Sequence, residues 1–267
     1  MKTERPRLHA RDYISGLAAS GRYSFTSGDA RKVLGVSADA AKLALNRLIR
    51  EKEIASPARG FYVAVPPEFR SLGCLPADQF IPALMERAGL SYYAGLLSAA
   101  QYHGAAHHRP QEFQVMLPKA RRPIQCGQVR VEFIVRTRLQ DVPLQSFNTP
   151  RGTIKVSTPE ATAIDLVGYQ HHAGGLDAVA TILSELAERI DPQKLVAAAE
   201  TAPVPWAQRL GYLLEHIGAA EKAAALKSYV ESAARQSASL LPGASIKDAR
   251  RDAVWKLLVN AEVEAEA

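Results

Sequence analysis

The chain has 267 residues, 47% hydrophobic and 22% charged, an ordinary globular composition that excludes a disordered tail protein. No apolar run approaches the roughly 20 residues of a membrane span, and no apolar segment follows the charged N-terminus as in a signal peptide; the cytoplasm is the expected compartment. The two cysteines, Cys74 and Cys126, form no CxxC pair, which excludes a disulfide framework and a cysteine zinc ribbon.

Charge is distributed unevenly. Residues 1–65 hold 12 Lys/Arg against 6 Asp/Glu, whereas the remaining 202 residues hold 21 of each sign. A basic head on a neutral body points to a polyanion-binding module joined to something else.

In the head, a helix is predicted over 11–20 and stopped by Gly21. Thr26 or Ser27 can cap a short helix to Leu34, with Asp29 favourable in its first turn. Gly35 breaks that helix, Val36 is an apolar staple, and Ser37 caps a longer helix over 38–52. Two helices joined by a tight Gly turn are the helix-turn-helix signature. Ala41, Leu45, Leu48 and Ile49 form the apolar face of the longer helix, with Lys42, Asn46, Arg47 and Arg50 on the other side. Lysine and arginine neutralise phosphates, and Asn and Arg carry the paired groups that read adenine or guanine edges. A short strand over 53–56, a turn over 57–60 and an alternating strand over 61–65 complete the order of a winged helix, with Arg59 at the tip and Pro66-Pro67 ending the unit.

The body is predicted as mixed and rich in helices, so the fold class is α+β: an N-terminal winged helix-turn-helix over 1–68, then a C-terminal domain over 69–267. Helices are predicted over 77–87 and over 92–103, the latter capped by Ser91. Strands follow over 112–117, 129–135, 142–147 and 153–157. Thr158-Pro159 opens a helix to Val167, and further helices cover 176–190, 192–200, 207–217 and 219–235. Periodicity leaves 253–260 open between strand and helix.

No catalytic centre stands out, and no metal or cofactor is expected. His103, His107 and His108 are close in sequence, as are His171 and His172, but Gly104 interrupts the first group and no HExxH spacing occurs. Glu132, Glu160 and Asp165 are the carboxylates a divalent-metal nuclease would need, but no lysine follows Glu132 at two positions. Glu160 fits a helix-start carboxylate facing the dipole. The chain lacks a GxxxxGK[ST] loop and a GxSxG elbow. The clusters at Lys119, Arg121 and Arg122 and at Arg136 and Arg138 read as solvated loop charges, the alternative being contact with nucleic acid or an acidic partner. Tyr92 and Tyr93 read as core.

Three segments in order carry a resemblance. They are 92–104 (Tyr-Tyr-Ala-Gly-Leu-Leu-Ser-Ala-Ala-Gln-Tyr-His-Gly), 152–167 (Gly-Thr-Ile-Lys-Val-Ser-Thr-Pro-Glu-Ala-Thr-Ala-Ile-Asp-Leu-Val) and 255–262 (Trp-Lys-Leu-Leu-Val-Asn-Ala-Glu). Behind a winged helix, this order resembles the AbiEi antitoxins of type IV (abortive infection) toxin–antitoxin systems. The resemblance implies a non-enzymatic protein with two roles. Its winged helix would bind double-stranded operator DNA at inverted repeats and repress its own operon. Its C-terminal domain would counter an AbiEii-type nucleotidyltransferase toxin without requiring a stable complex. It also implies that the 255–262 segment ends in a strand. The expected DNA contacts are Arg31, Lys32, Ser37, Lys42, Asn46, Arg47, Arg50 and Arg59, with two copies on an inverted repeat, whether paired in solution or only on the DNA, and the protein on the nucleoid when bound. The rival readings are a regulator whose body senses a ligand or protein partner, and a nuclease using Glu132.

Overall fold

The computed structural model describes residues 9–105 and 111–264. Among them, ten α-helices and twelve β-strands make a mixed α+β fold. The N-terminal part runs α1 (Ala10–Ala19), β1 (Ser24–Thr26), α2 (Ser27–Leu34), α3 (Ala38–Arg50), β2 (Ile54–Ala58) and β3 (Phe61–Ala64). The three strands form an antiparallel sheet in the order β1-β3-β2.

Local chemistry sets these boundaries. Thr26 accepts a hydrogen bond from the Asp29 amide at 3.0 Å, while Asp29 accepts one from the Thr26 amide at 2.8 Å, a reciprocal cap on α2. Hydrogen bonds from the Thr26 hydroxyl, at 2.8 Å, and from its amide hold the Asp29 carboxyl below its usual range. Gly35 turns the chain at φ 64, where a side chain would be strained, and the Ser37 hydroxyl caps α3 by accepting from the Ala40 amide at 3.2 Å. Tyr13, Ile14, Leu17, Phe25, Leu34, Leu45, Leu48 and Ile54 form the small core beneath. Each such large side chain contributes roughly 1.5–3 kcal/mol when fully buried.

After α4 (Ala77–Ala88), the body is built on a six-stranded sheet. Its elements are β4 (Tyr93–Ala94), α5 (Leu96–Tyr102), β5 (Phe113–Leu117), β6 (Ile124–Cys126), β7 (Val129–Val135), β8 (Leu144–Thr149) and β9 (Gly152–Ser157). The order across the sheet is β6-β7-β5-β4-β9-β8. The β7–β5 and β4–β9 pairs are parallel and the other pairs antiparallel. A helical layer follows: α6 (Pro159–Gly168), α7 (Leu176–Leu186), α8 (Pro192–Glu200), α9 (Val204–His216) and α10 (Ala220–Ala233). A small sheet closes the chain, with β10 (Ala238–Ser239) and β11 (Arg250–Asp252) on either side of β12 (Leu257–Val259).

Two expectations need correction here. The helix predicted over 92–103 is shorter, and Ser91 caps nothing. Tyr93 and Ala94 pair with Met116 and Val115 of β5, and Ala94 with Val156 of β9. Sheet pairing therefore overrides the helical spacing, and the helix starts only after Gly95, with Leu96 at φ 51. The second correction concerns Arg136, expected in solvent. Its side chain is 1% exposed and its Nε donates to Asp165 Oδ1 at 2.9 Å. The guanidinium also donates to the carbonyls of Thr137 and Thr201 and lies 5.1 Å from the Trp206 ring centroid. The Tyr93 hydroxyl donates to Asp165 Oδ2 at 2.6 Å. Burial pushes the Asp165 carboxyl up, against the pull of the guanidinium and the phenol. Desolvation works against the Arg136 charge, but Asp165 outweighs it.

The tail, left open by periodicity, is strand at 250–252 and 257–259, with Trp255 fully buried between them. Its indole donates to Glu215 Oε2 at 2.8 Å, and Gln208 of α9 donates to the carbonyls of Gln236, Trp255 and Lys256.

The two parts share a core across the Pro66-Pro67 segment. Ala55, Phe61, Val63 and Val65 pack in one cluster with Cys74, Phe80, Ile81, Val115, Cys126 and Val131. The Cys74 and Cys126 thiols are free and buried in that cluster. Beside them, Gly127 crosses the linker so closely that a Cβ there would lie 2.1 Å from the Leu72 carbonyl. Arg151, from the turn between β8 and β9, lies 3.8 Å from the Tyr23 ring centroid and bonds to Gln79.

Removing one partner of a buried ion pair costs about 3–5 kcal/mol. Asp165→Ala is therefore expected to lower the Tm by on the order of 10 °C, measured by thermal denaturation. A double replacement of Arg136 and Asp165 by apolar residues should recover part of that loss.

Candidate functional site

The exposed face of α3 is the densest arrangement of expected site residues. Ala41, Leu45 and Leu48 are buried on one side. At 100° per residue, Leu43, Asn46, Arg47 and Arg50 fall on the opposite side, and all four are exposed. Lys42 is exposed on the flank. Among the described residues, no hydrogen bond or ion pair engages Lys42, Asn46 or Arg50, whereas Arg47 pairs with Glu51 at 3.2 Å. Glu51 also takes Arg11 at 2.7 Å. Its carboxyl sits below its usual range, because the hydrogen bonds from Arg11 and Arg47 outweigh a desolvation cost. Arg31 and Lys32 are exposed in the last turn of α2. Ser37 is exposed at the start of α3, its hydroxyl engaged as the cap.

Arg59 is exposed at the two-residue turn between β2 and β3. The hairpin differs from the expected strand over 53–56, since β2 continues to Ala58 through a bulge between Ala55 and Ala58, with Pro57 buried. The tip is short and anchored. The Ser27 amide donates to the Gly60 carbonyl at 3.3 Å, and the Arg87 guanidinium of α4 lies 5.9 Å from the Phe61 ring centroid.

The candidate catalytic carboxylates do not converge. Glu132 Oε1 is 2.7 Å from His172 Nδ1, and its Oε2 accepts from Gln114 at 3.1 Å. Glu160 is buried in the first turn of α6 as expected, and it also accepts from the Asp191 amide at 3.0 Å, tying α6 to the start of α8. Asp165 belongs to the Arg136 pair. His103 is buried, with Nε2 2.8 Å from the Ser157 carbonyl and Nδ1 3.3 Å from the Gln145 amide nitrogen, so both ring nitrogens have structural partners. Burial holds His103 below the ordinary imidazole value. His171 stacks beside His172 at 4.2 Å between ring centroids. His107 and His108 lie outside the described residues. Among the described residues, no group of three His, Cys, Asp or Glu is placed to hold a metal ion. Of the basic loops, Lys119 and Arg122 are exposed, Arg121 lies over Phe133 at 5.3 Å, and Arg138 bonds to Asp141 and the Glu200 carbonyl.

Residues 93–216, from β4 to the end of α9, match the family profile of the AbiEi antitoxin C-terminal domain. Over that stretch the chain is similar to the AbiEi antitoxin C-terminal domain. No curated protein matches the chain. Among solved structures, the RV2827C protein from Mycobacterium tuberculosis has a similar fold, with TM-score 0.67 over 93% of this chain and 90% of that one at 19% identity. An antigenic nucleotidyltransferase-like protein from Paracoccidioides brasiliensis covers 57% of this chain and 90% of its own at TM-score 0.37 and 13% identity. Among the described residues, no helix is long and apolar enough to cross a membrane.

The matched stretch contains His103, Glu132, Glu160 and Asp165, and the α3 face lies outside it. The charge pattern of that face does not include Leu43, which is apolar yet exposed on it. The signal was an apolar residue facing away from Ala41, Leu45 and Leu48.

Ser37→Ala is expected to cost about 1 kcal/mol of stability through the lost cap, whereas Arg50→Ala should leave the Tm unchanged. Chemical denaturation of the two variants checks this. His103 has a depressed pKa in the fold, so its contribution is full above its unfolded value of 6.5 and lost as the pH falls through the lower folded value. A His103→Gln variant should show a shallower loss of Tm between pH 7 and pH 5.

Proposed function

We propose that this chain is the antitoxin of a type IV toxin–antitoxin system and the repressor of its own operon. The match of residues 93–216 to the AbiEi antitoxin domain carries the reading. In it, the C-terminal domain counters a nucleotidyltransferase toxin without catalysis and without requiring a stable complex. Glu132, Glu160 and Asp165 are each bound to a different part of the fold.

Residues 10–65 act in this reading as a winged helix-turn-helix on operator DNA. The order of α1, β1, α2, α3 and a β2–β3 hairpin supports this, as does the surplus of positive charge in 1–65. The helix α3 enters the major groove. Asn46 and Arg50 read base edges, and Lys42 and Arg47 meet phosphates or bases, with Arg47 first leaving Glu51. Ser37 lies at the helix start, where backbone amides approach a phosphate. Arg31 and Lys32 flank the backbone, and Arg59 meets it from the hairpin. One such module covers roughly 600–1,000 Å², so two copies on an inverted repeat supply selectivity. The protein then works in the cytoplasm, on the nucleoid when bound.

Two measurements test the reading. Co-expression of the full chain with the product of the adjacent gene should restore growth, and a Lys42→Ala/Arg50→Ala variant should protect equally well. Failure to protect, with both proteins present, would replace the antitoxin by a plain regulator. In binding titrations on DNA upstream of its own gene, Asn46→Ala should cost about 1–3 kcal/mol on that DNA and nothing on unrelated duplex. Arg59→Ala should weaken both alike and reduce the salt slope by about one counterion. Equal loss by Asn46→Ala on both DNAs would remove it from base reading.

A further inference from the structure

We infer that Leu43 is a sequence-reading residue that recognises the 5-methyl group of thymine in the major groove. The inference rests on the assignment of α3 to the DNA groove.

Leu43 is 71% exposed, the most exposed large hydrophobic side chain among the described residues. A single exposed leucine is unremarkable on a protein surface, so its placement has to carry the argument. It sits at the middle of the α3 face that points away from the core. Asn46 and Arg47 are one turn further along and Arg50 two turns, and Asp39 is one turn before. Lys42 and Arg50 on the same helix have no protein partner among the described residues. A protein-docking apolar patch would be expected to continue into neighbouring large apolar residues, but of the exposed α3 residues one or two turns away, Asp39, Asn46, Arg47 and Arg50 are charged or an amide and Ala40 adds only a methyl group. The surrounding charge suits a polyanion, and the one base feature in the major groove that an aliphatic side chain matches is the thymine methyl. An amide able to pair bidentately with adenine stands one turn from a branched aliphatic group, so Asn46 and Leu43 together favour an adenine and a nearby thymine.

The test uses the full chain and the DNA upstream of its own gene, amplified once with thymidine triphosphate and once with deoxyuridine triphosphate. The two fragments differ at the substituted positions by the 5-methyl group. Burial of one such group corresponds to about fourfold in affinity, and two copies on an inverted repeat to roughly fifteenfold. Wild-type protein should prefer the thymine fragment by that factor. Leu43→Ala should lose affinity for the thymine fragment and bind both alike, with an unchanged Tm, because the side chain makes no core contact. Leu43→Met should keep the preference. If wild type binds its upstream DNA selectively but ignores the methyl, or if Leu43→Ala keeps the preference, Leu43 does not read thymine and the groove assignment of α3 stands. If wild type binds this DNA no better than unrelated duplex, the DNA-binding reading itself falls, and the role of Leu43 with it.

Discussion

The ion pair between Arg136 and Asp165 is the constraint around which the body is organised. Arg136 follows the last residue of β7, Asp165 lies midway along α6, and Tyr93 stands on β4. A single carboxylate therefore ties two strands to the helical layer, while the guanidinium reaches Thr201 between α8 and α9 and packs near Trp206. Two charges removed from water cost several kcal/mol each unless geometry and extra hydrogen bonds compensate. Here the compensation is extensive, since the guanidinium is satisfied by carbonyls and the carboxylate by a phenol. Such a network fixes how the sheet and helices meet more than it raises stability, because apolar packing in its place could be as stable and less directional.

Much of this was legible along the chain. Thr26, Asp29, Gly35 and Ser37 announce α2, its stop and the start of α3 by capping chemistry that is local to a few residues. Strands β5, β7 and β9 read from their own alternation. What the sequence concealed was decided at a distance. Tyr93 and Ala94 have helical neighbours, and only pairing with β5 and β9 makes them a strand. Arg136 looked like a loop charge because its partner lies 29 positions away. β6 is three residues long and is defined by the hairpin it forms with β7. The tail could not be assigned from its period, because its conformation is imposed by Trp255 and by Gln208 reaching over from α9.

The α3 face illustrates the same division. Its charged residues were visible from spacing alone, since helical phase is a local property. The pairing of Arg47 with Glu51, and of Glu51 with Arg11, needed the fold. Of the cationic groups on that helix, Lys42 and Arg50 are open and Arg47 is held in reserve. The stretch 93–216, by contrast, uses its most conspicuous polar side chains internally. His103, Glu160 and Asp165 are buried and bonded within the domain, so whatever it presents to a partner resides in its outer contour and not in these groups.

The shared core between the two halves bears on how such proteins could be recombined. Phe61, Val63 and Val65 are covered by the body, and Cys74, Cys126, the Gly127 crossing and Arg151 complete the seal. A foreign head grafted at Pro66-Pro67 would meet a socket shaped for other side chains, and a head cut free would carry a bare apolar face into water. The two halves are thus matched parts, and transplanting one means carrying over the lining of the other.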